Sequence, residues 1–217
     1  MSITGWVLAL SSAQIGVLRA TPSLASDLAR VAEHDHFKET VVARMSPERR
    51  RAYEEQQRAL IDATPAVRAA EAELVAGRAR LAGIGPYEQA LDLQKSWHIL
   101  HYLFTGHIDV SNAPGDALLT GQELGEDVGY GPARLHDERA AREFASFLAA
   151  LDLARLQARV NFRDMTRVRV YGLPFGLGSD TEHEGDVRAA VASYFPRLRD
   201  YMARVSEKGE GFLTWLS

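Results

Sequence analysis

The sequence predicts an α+β fold: one helix-rich domain over residues 1–217, with a small sheet using strands near both chain ends. Three observations predict it. Helical periodicity dominates the chain. Strand-forming runs are short and scattered, the clearest being "GWVLAL" (Gly5–Leu10) and "GFLTWL" (Gly211–Leu216). No regular β-α-β alternation appears, so helices packed against a small sheet are expected rather than a doubly wound parallel sheet.

Gly5–Leu10 is rich in strand formers and reads as buried on both faces. Ser11, with Gln14 three residues on, forms a capping-box pattern that opens a short helix. Thr21 is the expected cap of the next helix, with Pro22 at its first position and Leu24, Leu28 and Val31 facing inward. Residues 46–82 read as a helical hairpin: a Ser-Pro start at Ser46, a turn at Asp62–Thr64, and a Thr-Pro start to the second arm. Tyr53, Leu60 and Ile61 are the sparse apolar positions of the first arm. Its Arg49-Arg50-Arg51 run reads as a solvated face offset by Glu54 and Glu55.

After the loop "GIGPYEQ", Leu91–Gly106 reads as a helix capped by Asp92 and ended by Gly106. Residues 113–135 are spaced by glycines and read as an ordered irregular loop. Asp137 caps a strongly helical stretch, and Val168–Tyr171 reads as a short strand. A long helix follows, with Val187, Val191, Tyr194, Leu198, Tyr201 and Val205 on one stripe. Pro196 is expected to kink or divide it. Pairing of Gly211–Leu216 with Gly5–Leu10 would join the two ends.

Composition excludes several classes. The chain is 46% hydrophobic and 25% charged, that of a folded domain rather than a disordered one. A net charge of −4 argues against a nucleic-acid partner, which calls for a basic face. There is no cysteine, which removes disulfides, thiolate nucleophiles and Cys-based zinc sites. "MSITGWVLALSSA" lacks the positive start of a secretion signal, its first arginine being Arg19. No apolar run is long enough to span a membrane. A cytoplasmic location with no membrane association is therefore expected.

Chemistry concentrates in "LDLQKSWHILHYLFTG". A helix apolar nearly all round is a buried helix, yet Gln94, His98, His101 and Thr105 make a polar seam along it. His98 and His101, at i and i+3, could reach one metal or one substrate, or be core histidines with satisfied nitrogens. Two histidines are too few for zinc, and no spacing rule singles out Glu123, Asp127 or His136 as a third ligand, so no metal and no cofactor is expected. Ser96 lacks a glycine elbow and is expected to bond back to the carbonyl of Asp92. His34–His36 reads as a helix end and Glu182–Glu184 as an exposed first turn. In the loop, Gly121, Gly125, Gly129 and Gly131 allow close approach, while Glu123, Glu126 and Asp127 would repel phosphate. Arg134 is expected to be tied to a carboxylate such as Asp127.

"DLQKSWHILHYLFTG" and "GQELGEDVGYGPARL", in this order, resemble the YfbM-like family of uncharacterised bacterial proteins. "GWVLALSSAQI" and "GEGFLTWL" extend the likeness in pattern. Gln122 intervenes where the family's glutamate follows glycines, and "HDE" stands where a Ser/Thr-Pro helix start is usual. The resemblance implies a compact α+β domain and no established reaction. It also implies that the buried helix and the glycine-rich loop pack together, the seam being satisfied by loop backbone and by Asp127, Tyr130 or Arg134.

Two functions fit. One is a non-catalytic binding or interaction protein, in its narrowest form immunity-type with a protein partner such as a basic nuclease. The other is a hydrolase or transferase with His98 or His101 as general base, oriented by Glu123 or Asp127, and Arg134 stabilising negative charge. The candidate catalytic residues are His98, His101 and Arg134. Ser96, Trp97, Glu123, Asp127 and Tyr130 are the candidate ligand-binding residues.

Overall fold

Two strands from opposite ends of the sequence lie side by side in the middle of one sheet. In the computed structural model, which describes residues 3–111, 115–174 and 178–217, β1 (Gly5–Leu10) pairs antiparallel with β5 (Gly211–Leu216) along its whole length. Among the described residues, β2 (Leu91–Gln94), β3 (Gln122–Asp127) and β4 (Pro132–His136) complete the sheet, in the order β2-β1-β5-β4-β3. Every neighbouring pair is antiparallel.

Every residue of β1 and of β5 is buried, because helices cover both faces of the sheet. Side chains alternate between faces along a strand. Trp6, Leu8, Leu10, Leu213 and Trp215 accordingly point into one layer, with α1 (Ser12–Ala20) and α2 (Leu24–Thr40). Val7, Ala9, Phe212 and Leu216 point into the other. There they meet α5 (Ser96–Thr105), α6 (Glu138–Ala149), α7 (Leu153–Ala158), α8 (Phe162–Arg167) and α9 (Asp180–Glu207). The result is a single helix-rich domain with three layers.

Local signals behave as the sequence predicts. Ser11 and Gln14 form the capping box of α1. The Asp137 carboxylate accepts the Ala140 N–H at 2.9 Å and opens α6. The helical hairpin is α3 (Pro47–Ala63) and α4 (Pro65–Arg80), with only Thr64 between the two helices. Pro196 departs from its expectation in that it does not divide the late helix, which runs unbroken through it as α9. Gly106, at φ 78°, ends α5 in the left-handed conformation.

Several expectations are corrected. Leu91–Gln94 is a strand, not the first turn of the buried helix. Leu91 and Leu93 alternate as well as they fit a helical stripe, and the open side of β1 supplies pairing partners. Gln94, at φ 50°, then turns the chain into α5, its N–H donating to the Asp92 carboxylate at 2.7 Å. Ser96 therefore has no helical carbonyl of Asp92 beneath it.

The glycine-spaced segment is the β3–β4 hairpin rather than a loop, although positions 113 and 114 of that segment lie outside the described residues. Gly125 (φ 75°) is needed there, since a Cβ would run into Ser26 Oγ and the Pro22 carbonyl. Val168–Tyr171 is not a strand. Asn161 caps α8, and the chain leaves that helix through Arg169 at φ 64°. Finally, α2 begins at Leu24, after Thr21-Pro22, and runs to Thr40, so His34–His36 lies within it rather than at its end. Among the described residues no helix is long and apolar enough to cross a membrane.

Candidate functional site

The first group of expected site residues lies on α5. Burial there is deep: His98 is 8% exposed and His101 0%. The His98 Nδ1 accepts the Tyr171 N–H at 2.8 Å, which places its proton on Nε2, and Nε2 donates to the Ile108 carbonyl at 2.8 Å. His101 Nε2 lies 3.2 Å from the Asp109 carbonyl, and its Nδ1 lies 3.5 Å from Asp116 Oδ1. Burial holds both imidazoles below the usual histidine range, Asp116 acting in the opposite sense on His101. Trp97 stacks on His98 at 4.7 Å.

One nitrogen of each imidazole is thus met by a carbonyl of the segment that follows α5, and Tyr171 supplies the other bond to His98. The left-handed Gly106 reverses the chain, and Ile108, Asp109 and Asp116 lie against the imidazoles.

The second group lies on the hairpin. Glu123 and Arg134 are directly paired across β3 and β4, with Arg134 Nη2 3.8 Å from Glu123 Oε1. The carboxylate beside Arg134 is therefore Glu123 and not Asp127. Asp127 Oδ1 instead accepts the N–H groups of Gly129 and Gly131 at 2.6 and 3.0 Å, which shapes the turn. Tyr130 is 41% exposed, and its N–H donates to the Leu216 carbonyl. Among the described residues no hydrogen bond, ion pair or ring contact joins His98 or His101 to Glu123, Asp127, Tyr130 or Arg134. The hairpin follows β5 in the sheet, whereas α5 follows β2 on the opposite edge. The expected packing of seam against hairpin is corrected accordingly. Ser96, Trp97, His98 and His101 form one set, and Glu123, Asp127, Tyr130 and Arg134 another.

An open cleft of about 560 Å³ lies elsewhere, at the β2 edge between α2 and α9. Its size falls in the usual range for small-molecule sites. Glu33, His36, Phe37 and Thr40 line it from one face of α2, at i, i+3, i+4 and i+7. Asp92 and Gln94 enter from β2, Tyr194 and Arg197 from α9, and Arg44 from the short 3₁₀ turn after α2. Trp6 is the floor. Its indole stacks on that of Trp215 at 5.8 Å, and the His36 ring meets it edge-on at 5.1 Å.

The inner end of this cleft is polar and tightly held. Trp215 Nε1–H donates to Glu33 Oε1 at 2.5 Å. Burial nonetheless raises the Glu33 carboxyl above its ordinary range, with the Trp215 and Ser217 hydrogen bonds opposing and Asp92 adding to the rise. Both oxygens of Asp92 take hydrogen bonds from Gln94, and Asp92 Oδ2 lies 3.9 Å from His36 Nε2. The rim is basic: Arg44 and Arg197 are both exposed, and Arg197 lies 5.3 Å from the centre of the Tyr194 ring. Among the described residues no group of three or more His, Asp or Glu side chains is placed to hold a metal ion.

A family profile described as "Domain of unknown function (DUF1877)" matches residues 1–215. The chain belongs to the DUF1877 family. The DUF1877 fold seen here is similar to the crystal structure of YfbM from Escherichia coli, itself described as a protein of unknown function. The TM-score is 0.57 at 18% identity, over 99% of both chains. This confirms the YfbM-like resemblance of the central motifs. No curated protein sequence matches this DUF1877 chain.

Sequence reasoning missed Glu33, His36, Asp92 and Arg197. The one local signal was the pairing of Glu33 and His36 one helical turn apart, beside Phe37. By local pattern Asp92 reads as a helix cap and Tyr194 as a core position, and nothing in either segment reports that they meet α2.

Proposed function

We propose that this DUF1877 protein is a non-catalytic binding protein whose ligand occupies the cleft at the β2 edge. The observation that supports this reading is the convergence, in one open cleft, of acidic, basic and aromatic side chains from α2, β2 and α9. Sites for small molecules combine an apolar lining with a few convergent polar groups in this way. The hydrolase or transferase alternative needs a substrate to reach His98 or His101, whose rings are 8% and 0% exposed and already hydrogen-bonded. A cytoplasmic location belongs to the same reading, on the sequence grounds given above.

The test is an amide-shift screen of the isotope-labelled chain against a library of small metabolites. Shifts should cluster on residues 33–44, 91–94 and 194–197. Glu33→Gln or Arg197→Ala should weaken the responding compound about tenfold, the scale of a lost charged hydrogen bond. Perturbations that cluster elsewhere, or a silent library, would overturn the reading.

One observation favours a protein partner as a second reading. No residue of the seventeen-residue α3 is buried, yet it carries Tyr53, Leu60 (44% exposed) and Ile61. The helix packs on α4, with Tyr53 tilted against Phe37 of α2 and Arg50 donating to the Ala43 carbonyl, and its Leu60 stays exposed for a partner to cover. An immunity-type role, with a basic partner drawn by the net charge of −4, is the narrowest form of this reading. A reproducible partner lost by Leu60→Arg but kept by Val110→Arg, another exposed apolar site, is the expected result. No partner, or the same partners with both variants, counts against it.

A further inference from the structure

We propose that the ligand of the β2-edge cleft is a free amino acid or a similar small zwitterion, its ammonium group between Glu33 and Asp92 and its carboxylate at Arg44 and Arg197. This rests on the reading of the cleft as a binding site and names the chemistry of what it takes.

The charges in the cleft are ordered by depth. Glu33 and Asp92 lie at the inner end, on the Trp6 floor, where side-chain exposure is low; Arg44 and Arg197 stand at the rim. Two carboxylates facing one half-buried space repel each other, and a cation placed between them relieves that repulsion. The rings of Trp6 and Tyr194 bound the same space, and aromatic faces attract organic cations. His36 Nδ1 is buried and has no hydrogen-bond partner among the described residues, so the inner end also has an unused polar atom.

A plain cation fits the inner end but meets two arginines at the rim. A plain anion, including a phosphate ester, fits the rim and is repelled within. Only a dipolar ligand complements both, and the guanidinium fork suits a carboxylate in particular. Phe37 and Val41, 39% and 43% exposed, form an apolar wall beside the cleft for a side chain. Leucine and phenylalanine are therefore the natural probes.

Isothermal titration of the full chain with L-leucine and L-phenylalanine, and with their N-acetyl and amide derivatives, tests the proposal. The N-acetyl form removes the cation and the amide removes the anion. The free amino acid should bind, and each derivative should bind at least about tenfold more weakly, the loss expected for one charged hydrogen-bonded contact. Glu33→Gln should weaken the free amino acid and its amide. Arg197→Ala should weaken the free amino acid and its N-acetyl form. Derivatives that bind as well as the parent overturn the proposal without any need of variants. So does the absence of binding by both probes. If other compounds still shift the cleft amides, the zwitterion is wrong and the binding reading stands. If nothing perturbs those amides, both fall.

Discussion

Replacing Trp215 by alanine is expected to lower the free energy of unfolding by about 3–5 kcal/mol, the range for truncating a large aromatic in a sealed core. Trp215 is 0% exposed on β5, the central strand that bonds to both β1 and β4. Its loss removes the ring that supports Trp6 from below and opens a cavity against α2. It also strips Glu33 of the indole N–H that holds Oε1. Trp215→Phe separates the two effects, since it keeps most of the ring and loses the donor. That variant should lose about 1–3 kcal/mol, the penalty of an unsatisfied half-buried polar group, and should push the Glu33 carboxyl further up. Urea unfolding followed by circular dichroism measures both variants. An alanine variant within about 1 kcal/mol of the parent would show that the Trp6–Trp215 pair does not hold the layer together.

The second large effect is loss of stability in acid. Burial pushes the His136 imidazole down to about 4, with the carbonyls of Thr120 and Ala117 acting the other way. The ring lies flat on Phe212, 4.2 Å between centroids, beneath the start of α6. In the unfolded chain the same group titrates near 6.5. Above that pH neither state binds the proton and the group has no effect. As pH falls from about 6.5 to about 4, the unfolded chain takes up a proton that the folded one refuses, so stability drops.

The full loss is about 3 kcal/mol, at 1.36 kcal/mol per unit of separation. His98 and His101, also lowered by burial, act in the same sense. Glu33 acts in the opposite one, because its raised carboxyl takes up a proton in the folded state first. Unfolding free energies at pH 7.5 and 4.5 should therefore differ by about 3 kcal/mol or more. His136→Gln should flatten that difference, whatever its effect at neutral pH. A parent curve flat to within about 1 kcal/mol would mean that the imidazole is not sealed in the fold.

These two predictions rest on residues that differ in how readily the sequence exposes them. The runs Gly5–Leu10 and Gly211–Leu216, the Ser11–Gln14 box, the Asp137 cap and the Gly106 stop are written locally, and each is found where its pattern places it. Leu91–Gln94 fails because four residues with buried leucines at alternate positions satisfy both a helix and a strand. The open edge of β1 decides, and that edge is a tertiary fact. The hairpin at Gln122–His136 fails for the opposite reason, its glycines masking two short strands. The imidazoles of α5 were legible as buried, but their partners were sought in the glycine-rich segment. The partners come instead from Ile108 and Asp109 just after the helix, from Asp116 at the start of that segment, and from the distant Tyr171. The cleft was the least legible part. Its Glu33, Asp92 and Arg197 sit on three segments with no shared motif, and only their packing brings them together.

The juxtaposition of β1 and β5 has a consequence for biosynthesis. The ribosome makes β5 about 200 residues after β1, so the central seam has a very large sequence separation, and contacts of that kind form slowly. Until β5 emerges, a nascent chain holds a fully apolar β1 with one flank open and β4 without its inner neighbour. Exposed edges of this sort recruit other chains. Closing the sheet therefore depends on β5 docking between two strands that wait for it, like a key turned only after the door is built.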